Sequence, residues 1–161
     1  MSFRLAQASM RASHISWVKM NNNNRPSWHK IWMQTAKLIS ERSHDKRTKV
    51  GAVIVAKDNS TVLSLGYNGN YSGGKHEPES VLPGGSGFLH AEVNALIKAP
   101  FHYPIDKVMY VTVSPCRSCA KLIINAGITE VIYGEQYRDD SGIQLLLESG
   151  IKVSHIDSLY N

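Results

Sequence analysis

His90-Ala91-Glu92 and Pro115-Cys116-Arg117-Ser118-Cys119 are the stretches whose residue types and spacing could do chemistry. Each sits where a loop is expected to become a helix. Cysteines at i and i+3 on a first helical turn point their sulfurs the same way. Free N–H groups and the macrodipole at that end favour anions, which lowers thiol pKa and presents thiolates to a soft or borderline cation. Pro115 just ahead suits the start, with its fixed φ and missing donor. His90 can add a third ligand from the other helix. Two thiolates and a neutral imidazole suit Zn²⁺ and leave a tetrahedral corner open, which is the catalytic rather than the closed structural arrangement. Glu92 is about 200° round the helix from His90 and need not ligate. A carboxylate there can lean toward a water in the open corner and move its protons. Taken alone, Cys-x-x-Cys is also a redox pair or half of a structural zinc site. A redox reading leaves His90 and Glu92 without a role, so the conjunction favours a catalytic metal.

The elements that must position these residues follow from apolar periodicity and turn signals. Ser27 caps a helix to about Glu41, with Ile31, Trp32, Thr35, Leu38 and Ile39 as its core face. Val50–Ala56 reads as a buried strand, Lys57–Ser60 as a turn, and Thr61–Gly66 as a returning hairpin strand. Residues 70–89 are rich in Gly and Pro, and a loop that long is commonly functional. Helices over His90–Lys98 and Cys116–Ala126 alternate with strands over Lys107–Val113 and Glu130–Gly134. A helix capped by Asp140 or Ser141 runs through Glu148, and Ile151–Ile156 is the last strand. The order α-β-β-α-β-α-β-α-β predicts an α/β sheet with helices on its faces.

The 161 residues are one domain's worth of chain, enough to bury roughly 70% of the unfolded surface. No apolar run approaches the roughly 20 residues of a membrane span. A net charge of +5 suits an anionic partner without identifying one. Only two cysteines, three positions apart, exclude a disulfide framework and point to a reducing compartment, so a cytoplasmic location is expected. Residues 1–26 differ from the rest: they carry Arg4, Arg11, Lys19 and Arg25, no acid, and the run Asn21–Asn24. Such a start is either a transit peptide or a plain extension. With few Arg and no amphipathic stripe, a plain extension, ordered or not, is the reading, followed by a domain over 27–161.

The conjunction of His-x-Glu with Pro-Cys-x-x-Cys is similar to the zinc nucleobase deaminases. From about Trp28 to Ile156 the chain resembles the deoxycytidylate (dCMP) deaminases. The residues that carry this are Val50–Val55, Gly66-Tyr67-Asn68-Gly69, His90-Ala91-Glu92-Val93-Asn94-Ala95-Leu96, Ser114–Lys121 and Ile123–Ile128. Gly-Tyr-Asn-Gly discriminates against the tRNA adenosine deaminases. The close Cys-x-x-Cys counts against the riboflavin-pathway deaminase, which spaces its cysteines more widely. The resemblance implies a cytidine deaminase-like three-layer α-β-α fold with a five-stranded mixed sheet. It implies hydrolysis of dCMP to dUMP and ammonia by a zinc-bound hydroxide, with Glu92 as proton shuttle and His90, Cys116 and Cys119 as ligands. It also implies a homohexamer, activation by dCTP with Mg²⁺ and inhibition by dTTP. No further cysteine is present for a second, structural zinc, so one zinc per chain is expected.

By position, Asn68 is expected on the sugar hydroxyl, Asn94 and Ser114 in the nucleotide pocket, and Tyr137 near the 5′-phosphate. Arg138 and Arg117 are candidate phosphate partners, since a guanidinium fork matches phosphate oxygens. Gly66, Tyr67 and Gly69 are the candidate effector site. His76 and His102 are spare loop histidines, expected to be solvated. The competing readings are a deaminase of tRNA or single-stranded nucleic acid, and a non-catalytic zinc module that senses nucleotides. A basic, aromatic-interleaved stripe would favour the first, and none is seen.

Overall fold

Every residue of the strand Gly51–Ala56 (β1) is buried, because neighbours hydrogen-bond both its edges and helices cover both its faces. In this computed structural model, which describes residues 25–82, 85–100 and 102–160, β1 pairs antiparallel with Val62–Tyr67 (β2) and with Lys107–Val113 (β3). Ile128–Glu135 (β4) and Lys152–His155 (β5) continue the sheet in parallel, giving the order β2-β1-β3-β4-β5. The five-stranded mixed sheet expected from the resemblance is therefore present. Residues 1–24, which hold most of the expected extension, lie outside the described residues.

Alternation along β1 divides the core. Ala52 and Ile54 face the layer built by the helices Ala91–Lys98 (α2), Arg117–Asn125 (α3) and Ser141–Glu148 (α4). Val53 and Val55 face Trp28–Ser40 (α1) and the short 3₁₀ turn Ile156–Leu159. Parallel neighbours need crossovers, which α3 and α4 supply. No helix among the described residues is long and apolar enough to cross a membrane.

The start of α1 is as expected: the Ser27 hydroxyl accepts the Lys30 N–H at 3.3 Å. Its core face is as expected only in part: Trp32 packs against the core, and Ile31, Thr35 and Ile39 are half-buried. Leu38 is 72% exposed, and the buried stripe is Met33, Ala36 and Ser40. The cause is close approach. A Cβ at Gly51 would collide with the Ala36 carbonyl and lie 2.8 Å from the Ser40 nitrogen, so small residues face the strand. Several bounds shift by one or two residues, β4 beginning at Ile128 rather than Glu130. β2 runs through Tyr67 rather than stopping at Gly66. At α4, Asp140 holds the cap position but Asp139 makes the bonds, its carboxylate accepting the Ser141 N–H and hydroxyl, each at 2.9 Å.

Gly66 repeats the close approach where it matters for the site. A Cβ there would collide with the Ala91 carbonyl and the Ala95 nitrogen, so α2 lies directly on β2. G66A is expected to cost about 1–3 kcal/mol of stability, because overpacked backbone must shift. It should also lower activity, since α2 is capped by His90 and carries Glu92. Urea unfolding midpoints of the two proteins check this.

Candidate active site

His90 is the N-cap of α2 and Cys116 the N-cap of α3. Neither side chain bonds its own helix N–H groups, so both are free to turn toward each other. Ser114 to Cys116 follow the end of β3, and the start of α2 is held by its contact with Gly66. The result is a triangle: His90 Nδ1 lies 3.6 Å from Cys116 Sγ and 3.4 Å from Cys119 Sγ. All three donor atoms fall within 4.8 Å of one another. With Zn–N about 2.0–2.1 Å and Zn–S about 2.3 Å, a tetrahedral ion needs N···S edges of roughly 3.5 Å. The donor set and its spacing therefore fit zinc, with Nδ1 as the imidazole ligand.

The electrostatics are those of a thiolate centre. Hydrogen bonds from Cys119 and His90 hold the Cys116 thiol far below its usual value. Cys119 is pushed up by its bond to that thiolate and by burial. His90 is raised, mainly by its contact with Cys116. Glu92 is 3% exposed, and burial raises its carboxyl above the usual range. A carboxyl displaced upward is suited to taking and giving protons near neutral pH.

His90, Cys116 and Glu92 open onto one cavity of about 290 Å³. It lies at the end of the sheet where β2, β3 and β4 finish and β1 begins. Val50, Asn68, Val113 and Ser114 come from these strand ends, with Tyr137 and Arg138 from the loop beyond β4. Ser114 is buried, and its hydroxyl accepts the Tyr137 N–H at 2.7 Å, which ties the two loops together. The Arg138 guanidinium sits 5.4 Å above the Tyr137 ring.

Asn68 is in the wall, but its amide is engaged. Oδ1 accepts the Val50 N–H at 2.8 Å, and Nδ2 donates to the Thr48 carbonyl at 2.9 Å. Asn94 is not among the cavity residues; its Nδ2 donates to the Tyr67 carbonyl at 2.9 Å, bracing α2 against β2. Gly66 is filled by α2, Tyr67 is half-buried, and Gly69 is bridged to Leu89. Arg117 is exposed and off the cavity. His76 is exposed and stacks on His44, with centroids 3.8 Å apart, while His102 is exposed.

Sequence reasoning missed Asp45, Arg47, Thr48 and Phe88 in the cavity wall. They lie in irregular segments, and nothing in their local spacing signals that the loops before β1 and before α2 meet. Arg47 joins them, its Nη1 donating to the carbonyls of Val81 at 3.0 Å and Leu82 at 2.8 Å.

The family model described as the cytidine and deoxycytidylate deaminase zinc-binding region matches residues 26–135. The chain belongs to the cytidine and deoxycytidylate deaminase family. Its match takes in the metal triangle, Glu92 and all of β1 to β4. Among relatives of this deaminase family, the ComE operon protein 2 of Bacillus subtilis is 35% identical over 140 residues, covering 83% of this chain and 73% of that protein. The deoxycytidylate deaminase of Homo sapiens is 36% identical over 121 residues, covering 70% of this chain and 67% of that one. Among solved structures, the dCMP deaminase of cyanophage S-TIM5 in complex with dCMP and dUMP superposes with a TM-score of 0.68. It is 36% identical and covers 81% of this chain and 98% of that chain.

Proposed function

We propose that this chain converts dCMP and water to dUMP and ammonia. The observation that carries the reading is the His90–Cys116–Cys119 triangle sharing one cavity with the buried carboxyl of Glu92. When bound there, zinc supplies Lewis acidity that makes water nucleophilic near neutral pH. A Glu92 carboxylate oxygen takes the proton released by water and delivers it to the ring nitrogen beside the reacting carbon. It then takes the second water proton and hands it to the leaving amine, so the C–N bond breaks as the new C–O bond is retained. Burial of Glu92 supports this role, because desolvation raises its carboxyl and so makes it readier to take and hold a proton from water.

Ser114 and Tyr137 hold the nucleotide between the loops that follow β3 and β4. Tyr137 and Arg138 take the 5′-phosphate, and Asn68 takes the sugar hydroxyl through the lone pair left on Oδ1. Asn94 serves substrate binding from outside the cavity, by bracing α2, which carries Glu92, against β2. The deaminase domain spans 27–161, with 1–26 as an extension, and the protein is cytoplasmic. Control by dCTP with Mg²⁺ and by dTTP, through Gly66, Tyr67 and Gly69 in a homohexamer, completes the reading and rests on family likeness.

The test compares substrates. The zinc-loaded protein is expected to act on dCMP at least about 100-fold better, in kcat/KM, than on deoxycytidine, since a charged phosphate contact is lost. Added dCTP with Mg²⁺ is expected to raise the rate at low dCMP. Turnover of cytosine or adenine in single-stranded nucleic acid, with none of dCMP, would overturn the substrate assignment.

A further inference from the structure

In the wall of the cavity formed by Asp45, Thr48 and Asn68, two side-chain oxygens have unused accepting capacity. Asp45 has a side chain only 12% exposed, and its Oδ1 accepts the backbone N–H of Arg47 at 2.8 Å and of Thr48 at 3.3 Å. Its Oδ2 receives a single long contact, from Asn68 Nδ2 at 3.4 Å. The orientation of the Asn68 amide is fixed by its partners, because Val50 presents an N–H and Thr48 a carbonyl. Both hydrogens of its NH₂ group are therefore spent, on Thr48 and Asp45. What remains on Asp45 and Asn68 is one lone pair on Asn68 Oδ1 and the free lone pairs of Asp45 Oδ2, with the Thr48 hydroxyl beside them able to donate or accept. The Asn68 carbonyl and backbone N–H face away, bonded to the Ser43 hydroxyl at 2.8 Å and the Val50 carbonyl at 3.1 Å. The neighbouring cation, Arg47, turns its Nη1 donors to the Val81 and Leu82 carbonyls and lies 4.0 Å from Asp45 Oδ1 through Nε.

Asp45 Oδ2 and Asn68 Oδ1 can accept but not donate, and Asp45 brings a negative charge beside Arg47. This pair of oxygens favours a group with a hydrogen to give. Deoxycytidylate offers one such group on its sugar, the 3′-hydroxyl. The sheet order puts Arg138 and Tyr137, beyond β4, across β1 and β3 from Asn68 at the end of β2, so phosphate and hydroxyl have separate ends of one cavity. We infer that Asp45 is a specificity-determining residue that, with Asn68 Oδ1, accepts a hydrogen bond from the 3′-hydroxyl and selects nucleotides that can donate one there. The inference rests on the dCMP reading and adds a residue and a direction of donation to it.

The test uses a substrate pair and a conservative variant. The 3′-fluoro analogue of dCMP keeps the size of the hydroxyl and can accept but not donate. Sites built to hydrogen-bond a substrate hydroxyl discriminate strongly against analogues that lack it. The unmodified protein is expected to prefer dCMP over the 3′-fluoro analogue by at least about 100-fold in kcat/KM. D45N keeps Oδ1 for the Arg47 and Thr48 N–H groups but replaces Oδ2 with a donor. That preference should fall at least about tenfold in D45N. A ratio is independent of the fraction of protein folded, so a purely structural role would leave it unchanged. An unchanged ratio overturns the inference alone. Absence of dCMP turnover in the unmodified protein overturns the dCMP reading and this inference with it.

Discussion

E92Q is expected to lose at least about 10³-fold in kcat while binding one equivalent of zinc like the unmodified protein. Glutamine matches glutamate in size, and the buried position, 3% exposed, has room for little else. It can donate and accept hydrogen bonds, so the pocket stays filled. It cannot carry a proton from water to the ring nitrogen and then to the leaving amine. The metal ligands are other side chains, His90, Cys116 and Cys119, so zinc retention separates loss of proton transfer from loss of the metal site. Activity within tenfold of the unmodified protein, at equal zinc content, would remove Glu92 from the mechanism.

Alanine at Cys116 or Cys119 should remove metal and activity together. His90, Cys116 and Cys119 would supply three protein ligands, and losing a thiolate would leave two, too few for a stable site. Zinc is expected to fall from about one to below about 0.1 per chain after dialysis, with turnover undetectable. The two variants should differ in stability. Cys119 is 2% exposed and sits beside Ala120 and Ile123 of the core, whereas Cys116 is half-buried at the helix cap. C119A should therefore unfold at lower denaturant concentration than C116A. Full zinc content in either variant, measured by elemental analysis, would refute the ligand set.

The metal triangle was legible in the sequence because its geometry is local. Two cysteines on one helical turn and a histidine at another helix start need only the two starts to face each other. The strand-helix alternation gave the layers for the same reason, since period and turn residues are written along the chain. What stayed hidden depends on approach between distant segments. The buried face of α1 is set by Gly51, which draws Ala36 and Ser40 inward and turns Leu38 out, against the order of hydrophobicity. Asn68 was legible as a site residue, but not its bonds to Thr48 and Val50, which consume most of its amide. Asp45 and Arg47 gave no signal at all. A lone acid beside two basic residues looks like solvated surface until the loop is folded against the cavity.

The most direct test is the conversion of dCMP by the purified, zinc-loaded protein, followed by the loss of cytosine absorbance and by assay of ammonia. The expected result is catalytic turnover, with dUMP and ammonia formed in equal amounts and abolished by removal of zinc. Zinc bound at one equivalent with no turnover of dCMP, at any concentration of dCTP and Mg²⁺, would contradict it.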